Sequence, residues 1–225
     1  MSALIPQVGR IICHAAQYGF LLSLSKVTIA IAGIRGGKTH IGALKTLLYG
    51  IQHSCAPDQV HLICSPTYPM SKIPINKIFK LLYDKKTFPI NPLIRYAKAE
   101  RTFHLAAADG GVTHIQVVSV SDPDKLRGIE ALSAWLDEGA YMLKYAWEVV
   151  QGRLADNDAP CWITTTPAGY NFVHELYVKA CAERDAGISQ ASRAALVIAG
   201  KHLHQTGRTR VSSGAVRLAH LRPRD

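Results

Sequence analysis

The sequence predicts an α/β protein in which a mainly parallel central sheet is flanked by helices. Three observations support this fold class. Short apolar runs of strand length alternate with segments whose apolar residues recur at helical spacing. A glycine-rich turn joins the first apolar run to one of the helical segments. A later apolar run ends directly in two adjacent carboxylates, Asp137 and Glu138.

The glycine-rich turn has a sequence that is typical of phosphate binding. It reads GIRGGKT over residues 33–39, between a predicted strand at Val27–Ala32 and a predicted helix at 40–49. Glycines allow successive backbone amides to converge on a phosphate, and the helix N-terminus adds partial positive charge. Lys38 would reach the β- and γ-phosphates, and Thr39 would offer its hydroxyl to Mg²⁺. The usual pattern has glycine where Ala32 stands, so a turn that binds nothing remains an alternative.

The other elements follow from apolar periodicity and turn residues. A hairpin is predicted from the alternating segments 101–106 and 112–120, which flank Asp109-Gly110-Gly111. The remaining predicted helices lie at 11–24, around 73–82, at 139–154 and at 171–181. The remaining predicted strands lie at 59–65, 132–136 and 161–164.

The two carboxylates are candidates for metal binding and for catalysis. In ATP-hydrolysing P-loop proteins the acid at the strand end holds Mg²⁺, and the next acid polarises the attacking water. Asp137 and Glu138 fit these two roles. The alternative is a solvated acidic cap, because Asp and Glu commonly begin helices. Thr164, Thr165 and Thr166 follow a further apolar run and could sense a γ-phosphate or simply cap a turn.

Composition excludes several classes of protein. The five cysteines are scattered and form no CxxC pair, so neither a zinc site nor a disulfide framework is predicted. No apolar run approaches the roughly 20 residues that cross a bilayer, and a signal-peptide layout is lacking. These features predict a soluble protein of a reducing cytoplasm that has no membrane partner.

The net charge is +10, which favours a polyanionic partner, but it is unevenly distributed. From Lys179 onward there are nine Lys and Arg against three acidic residues, and no aromatic residue follows Tyr177. Such a segment buries little apolar surface to offset the entropy of ordering its backbone. We therefore predict that residues 183–225 are poorly ordered, and that their deletion leaves thermal stability unchanged.

The ordered set of motifs resembles the large terminase subunit of tailed bacteriophages, over its N-terminal motor ATPase. The resemblance covers roughly residues 10–180. Its segments are the glycine-rich turn, SPTYPM at 65–70, PDKLRG at 123–128, WLDEGAYM at 135–142 and ITTTPAGYNFVHELY at 163–177. The family implies a P-loop NTPase of the ASCE, RecA-like type that binds ATP and Mg²⁺. It also implies a homo-oligomeric ring that pumps double-stranded DNA into a procapsid, with the portal and the small terminase subunit as partners, in the cytoplasm of a bacterial host.

The resemblance assigns roles to individual residues. The Walker A, nucleotide-binding residues are Gly33, Ile34, Arg35, Gly36, Gly37, Lys38 and Thr39. Gln17 matches the glutamine that reads adenine, Asp137 with Glu138 the Walker B pair, and Thr164 to Thr166 the coupling motif. Arg35 matches an arginine that many members carry in the P-loop. Arg127 matches an arginine finger that acts on the neighbouring subunit, or else forms a surface ion pair.

The resemblance also implies a domain division and leaves two other functions open. We expect the ATPase domain at 1–182 and a basic aromatic-free tail at 183–225 that is not native to the motor fold. We expect no nuclease activity, because the sequence lacks the acid clusters of the family's nuclease domain. The alternatives are a truncated nucleotide-binding remnant without productive motor activity and a helicase-like P-loop NTPase of another family.

Overall fold

The computed structural model describes residues 7–185 and 194–199, which form one mixed sheet with helices on both faces. The strands are β1 (Val27–Ala32), β2 (Gln59–Ser65), β3 (Leu93–Ala97), β4 (Thr102–Ala106), β5 (Val112–Ser119), β6 (Glu130–Asp137), β7 (Cys161–Thr165) and β8 (Ala194–Ala199). The helices are α1 (Ala15–Leu22), α2 (Lys38–Gln52), α3 (Lys72–Leu82), α4 (Lys144–Ala155) and α5 (Phe172–Asp185).

The strand order brings three predicted motifs to the same edge of the sheet. The order is β3-β4-β5-β2-β6-β7-β1-β8. All neighbours are parallel except β3 with β4 and β4 with β5. The carboxyl ends of β1, β6 and β7 therefore lie together, with β7 in the middle. The glycine-rich turn, the two carboxylates and the threonines follow these three strands.

Two apolar clusters hold helices to the two faces of the sheet. On one face Phe20 of α1 and Leu44 and Leu47 of α2 pack with Trp162. On the other face Trp147 and other residues of α4 and α5 pack against strand residues such as Ile29 and Leu136. Each large apolar side chain that is fully buried contributes about 1.5–3 kcal/mol. Both faces of the strands that carry the motifs are therefore fixed by packing.

The α/β class and the hairpin are confirmed, and several boundaries differ from prediction. β4 pairs antiparallel with β5, as predicted. The third antiparallel strand, β3, was not predicted, because this short edge strand has exposed residues on both faces. The helix predicted from residue 139 begins only at Lys144, since Leu143 is extended and a short 3₁₀ turn occupies Gly139–Tyr141. The helix predicted over 11–24 is shorter, and His14 caps it.

Two parts of the predicted tail are described, since residues 183–185 end α5 and residues 194–199 belong to the sheet. Ala194–Ala199 forms β8, which pairs in parallel with β1 from Val27 opposite Ala194 to Ala32 opposite Ala199. Six residues of the predicted tail, 194–199, thus form a strand. The physical reason is that an apolar run containing Val and Ile suits a strand and completes the hydrogen bonds of β1. Residues 186–193 and 200–225 lie outside the described residues, so a domain boundary near residue 182 stays a prediction.

The helices in the described ranges can be compared with the requirements of a membrane-spanning helix. None of them has both the length and the apolar content needed to cross a bilayer.

Candidate active site

The loop between β1 and α2 takes the shape of a phosphate-binding turn. Gly37, which begins α2, has φ of 75°, and Arg35 has φ of 65°. The left-handed backbone at position 37 favours glycine. A Cβ there would also displace the Gln17 amide from its present position. Gly37 has no side chain to cap α2, so within the described residues no N-cap side chain accepts from its first backbone amides.

Lys38 places a cation within this loop. Its side chain is buried, and Nζ donates a hydrogen bond to the Gly33 carbonyl oxygen at 3.1 Å. The ammonium therefore reaches back across the turn. A lysine in this position, beside the N-terminus of a helix, binds anionic oxygen atoms through both charge and hydrogen bonds.

A hydrogen-bond network joins α2 to the ends of β6 and β7. Asp137 Oδ1 accepts hydrogen bonds from Thr39 Oγ1 at 3.3 Å and from Thr164 Oγ1 at 2.9 Å. Thr164 Oγ1 in turn accepts one from Trp135 Nε1 at 2.8 Å. The indole N–H can only donate, so the Thr164 oxygen is the acceptor there and its own proton points to Asp137. The aspartate is thus oriented from two sides.

The Asp137 carboxylate is suited to a divalent cation. It is only 4% exposed, and this burial raises its pKa to about 6. The neighbouring Glu138 also raises this pKa, whereas Thr164, Thr39 and Lys38 lower it. A buried carboxylate gains most from a cation, and a carboxylate with a hydroxyl is an oxygen donor pair of the kind Mg²⁺ prefers. The donor set of Asp137 and Thr39 therefore fits Mg²⁺, with its other ligands coming from phosphate and water.

Glu138 does not act as a helix cap. Its backbone is left-handed, with φ of 55°, and its side chain makes no capping hydrogen bond to the 3₁₀ turn that follows. Instead Oε2 accepts a hydrogen bond from the Thr166 backbone amide at 3.2 Å. Thr165 Oγ1 accepts one from the Ala140 amide at 3.0 Å. The left-handed backbone of this non-glycine residue costs about 1 kcal/mol. This conformation places the carboxylate beside the end of β7.

Gln17 reaches the same loop from α1. Its Nε2 donates to the Gly37 carbonyl oxygen at 3.4 Å, and its Oε1 accepts from the His14 amide at 3.2 Å. The second bond belongs to a capping box in which the His14 ring accepts from the Gln17 amide. The structure therefore brings Gln17 together with the predicted Walker A residues.

The two candidate arginines are differently placed. Arg35 is exposed in the loop itself. Arg127 is also exposed, and its Nε donates to Asp124 Oδ1 at 2.8 Å while a terminal nitrogen donates to the Tyr145 hydroxyl at 3.0 Å. Tyr145 donates to the same Asp124 oxygen at 2.7 Å. In this structure Arg127 therefore forms the surface ion pair that the sequence allowed as the alternative.

Two residues of the site region were not predicted from the sequence. Trp135 was counted only as part of an apolar strand, although it orients Thr164. Lys45 was overlooked within the apolar pattern of α2, although its side chain is buried against α1. A lysine among the apolar residues Ala43, Leu44 and Leu47 is the sequence feature that could have identified it.

Similar folds are found among solved structures of phage proteins. The ATPase domain of the Thermus phage P74-26 large terminase is 21% identical, with a TM-score of 0.62 over 74% of this chain and 69% of that one. The large terminase of a second bacteriophage, described as thermophilic, is 15% identical to this chain, with a TM-score of 0.66 over 84% of this chain and 46% of that one. We call this second protein the thermophilic-phage terminase. Its complex with ADP is 16% identical, with a TM-score of 0.64 over 82% of this chain and 44% of that one. A further structure of it contains ATP-gamma-S.

The sequence comparisons add no relative. No protein-family model matches the chain, and no curated protein matches it. The chain spans less than half the length of the thermophilic-phage terminase. At these identities the likeness concerns the fold, and it confirms at that level the resemblance stated from the motifs. This chain has the fold of the ATPase domain of phage large terminases.

Proposed function

We propose that this chain binds ATP with Mg²⁺ and hydrolyses it as the motor domain of a terminase large subunit. One observation carries the proposal. The Thr39 hydroxyl and the Asp137 carboxylate, 98 residues apart in sequence, lie 3.3 Å from each other beside the loop that contains Lys38. A cation for phosphate and an oxygen pair for a metal ion are the two requirements of a P-loop nucleotide site.

Each residue of the site then has a defined task. Lys38 and the first amides of α2 bind the β- and γ-phosphates, and Thr39 with Asp137 would hold Mg²⁺, which would neutralise charge on the phosphate oxygens. Glu138 orients the attacking water as the general base. Its bond to the Thr166 amide links the base to the coupling motif Thr164–Thr166. A change at the γ-phosphate could thus be transmitted to the segment after β7.

Nucleotide binding is supported from two directions. The thermophilic-phage terminase, whose fold is similar, has been solved with ADP and with ATP-gamma-S. In this chain Gln17 lies beside the loop, and a glutamine amide can pair with the adenine edge, which favours ATP as the nucleotide.

The role in DNA packaging rests on the likeness to terminase ATPase domains. We infer that double-stranded DNA is the translocated substrate and that subunits assemble as a ring on a portal, with the small terminase subunit as a partner. The net charge of +10 suits a polyanionic substrate. Arg35 in cis or Arg127 from a neighbouring subunit would supply the positive charge that stabilises the transition state.

A second candidate function is nucleotide binding without productive turnover. The contact that favours it is the engagement of Arg127 by Asp124 and Tyr145 of its own chain. ATP turnover measured with and without duplex DNA separates the two candidates. Stimulation by DNA supports the motor, and binding with no turnover under either condition supports the alternative.

Two substitutions test the site itself. Lys38→Ala should weaken ATP binding by roughly 10- to 100-fold, because charge-assisted hydrogen bonds to the phosphates are lost. Glu138→Gln should keep ATP affinity within a few-fold and lower turnover by roughly 10² or more, because only the base is removed. Calorimetric titration gives the affinities, and phosphate release gives the turnover.

The matched control is Lys144→Ala, which removes an exposed lysine paired with Glu175. It should change neither affinity nor turnover. Wild-type affinity in Lys38→Ala would contradict the P-loop assignment. Wild-type turnover in Glu138→Gln would contradict the role of the carboxylate.

A further inference from the structure

Lys45 is a buried lysine of α2 that the proposed chemistry does not use. Its side chain is 7% exposed, and Nζ lies 5.2 Å from the centroid of the Phe20 ring and 5.6 Å from that of Trp162. No ion pair joins it to an acidic residue within the described ranges. A buried lysine without a carboxylate partner is costly, so the contacts it does make require an explanation.

The Lys45 contacts tie the end of α1 to α2. Nζ donates hydrogen bonds to the carbonyl oxygens of Phe20 and Ser23, both at 2.8 Å. Ser23 is the C-cap residue of α1. The last carbonyls of a helix lack partners within it and form the negative end of its dipole. A single side-chain amine therefore satisfies this end of α1 and attaches it to the helix that begins at the Walker A loop.

The same short helix carries Gln17, which donates to the carbonyl oxygen of Gly37, the N-cap residue of α2. This is a second contact between the two helices. An amide side chain has two N–H donors and two acceptor lone pairs. Gln17 uses one donor on the Gly37 carbonyl and one lone pair on the His14 amide. Counting the described residues, one donor and one acceptor remain, which match the N7 acceptor and the N6 donor of adenine. Guanine offers an O6 acceptor in place of the N6 donor, so the same amide discriminates against it.

We propose that Lys45 is a positioning residue that holds α1 against α2, so that Gln17 distinguishes adenine from guanine nucleotides. This inference rests on the proposed function of the loop as an ATP site. Lys45 touches neither base nor phosphate in this arrangement. Its effect is on the base preference, and it acts through the placement of Gln17.

The test is calorimetric titration of the full chain with Mg-ATP and with Mg-GTP. Four proteins are compared, namely wild type, Lys45→Met, Gln17→Ala and the double variant. Methionine keeps the length and the apolar stem and removes only the ammonium. Each single variant should lower the ATP-over-GTP affinity ratio by roughly three- to tenfold, as expected for one or two weakened hydrogen bonds. GTP affinity should stay nearly constant.

The double variant separates positioning from a merely structural role. If Lys45 acts through Gln17, the double variant has the ratio of Gln17→Ala alone. A wild-type ratio in Lys45→Met, or losses that add in the double variant, would overturn the proposal. If Lys45→Met does not fold, Lys45→Gln replaces it. Its shorter amide cannot reach both carbonyls, so the ratio should again fall, and an unchanged ratio overturns the proposal.

Failure of the underlying function has a different outcome. A wild-type chain that binds neither nucleotide contradicts the proposed function and, with it, the role of Lys45. A wild-type chain that binds ATP and GTP equally leaves the phosphate site intact and overturns the base-reading role of Gln17 and Lys45.

Discussion

At the scale of single residues, the buried amine of Lys45 makes stability depend on pH. Burial lowers its pKa from 10.5 to about 7. Between these two values the unfolded chain holds the proton more tightly than the folded chain, so stability rises with pH. From pH 6 to pH 9 the free energy of unfolding of the wild type should rise by roughly 2–3 kcal/mol relative to Lys45→Met.

Urea unfolding of both proteins at several pH values measures this difference. Other groups titrate in the same range, but they are common to both proteins and cancel in the comparison. Parallel pH profiles for wild type and Lys45→Met would mean that the lysine is charged equally in both states and that the buried contacts are not maintained.

The site residues that were predictable are those whose chemistry is local in sequence. Lys38 and Thr39 follow from the glycine-rich turn, and Asp137 from its place at the end of an apolar strand. The contact of Asp137 with Thr164 depends on β7 lying between β1 and β6, which no local pattern specifies. The hydrogen bond from Trp135 to Thr164 could not be predicted from the sequence for the same reason, because it joins neighbouring strands.

At the scale of elements, the packing of α2 on the sheet has a sensitive point at Gly42. A Cβ there would lie 2.4 Å from the Trp135 ring. Alanine normally stabilises a helix relative to glycine, but here the overlap should dominate. Gly42→Ala should destabilise the protein by roughly 1–3 kcal/mol, and, because Trp135 orients Thr164, it should also weaken Mg-ATP binding.

Gly152 in α4 is the matched control. It is exposed, and a Cβ there would meet nothing within 4 Å. Gly152→Ala should stabilise the protein by roughly 0.5–1 kcal/mol through helix propensity alone. Thermal unfolding of both variants checks the pair. A stabilised Gly42→Ala would show that α2 does not approach the tryptophan as closely as the structure has it.

Element boundaries were less predictable than element types. The apolar spacing from Gly139 to Leu154 is helical, but Glu138 takes a left-handed backbone and delays the helix to Lys144. This departure from local preference occurs at the candidate general base. Sequence periodicity reports packing, and it does not report a conformation that is maintained for a catalytic position.

At the scale of the whole molecule, the proposed role of Arg127 as a finger in trans predicts that activity depends on assembly. We expect the isolated chain to hydrolyse ATP slowly, because a finger in trans is idle in a monomer and its loss typically costs about 10³ or more in rate. The test mixes Arg127→Ala subunits with Glu138→Gln subunits and measures phosphate release under conditions of assembly. Each variant retains what the other lacks, so partial recovery is expected.

The control for the mixing experiment is Asp124→Asn, which releases Arg127 from its ion pair without removing it. Turnover of this variant should be at least that of the wild type. Mixed subunits that show only the average of the two inactive variants would contradict action in trans, and the exposed ion pair would then be the whole role of Arg127.

The pairing of β8 with β1 has a consequence for truncated forms of the chain. Among the described strands β1, which leads into the glycine-rich loop, lies second from the edge of the sheet because Ala194–Ala199 covers it. Removing residues 183–225 would leave the β1 backbone amides and carbonyls open, and an uncovered flat strand is a template for pairing with other molecules. We therefore expect the shortened protein to self-associate in light scattering, with loss of nucleotide binding, where composition alone predicts no change. In that case β8 protects the backbone of β1 from pairing with other molecules, and it thereby prevents aggregation.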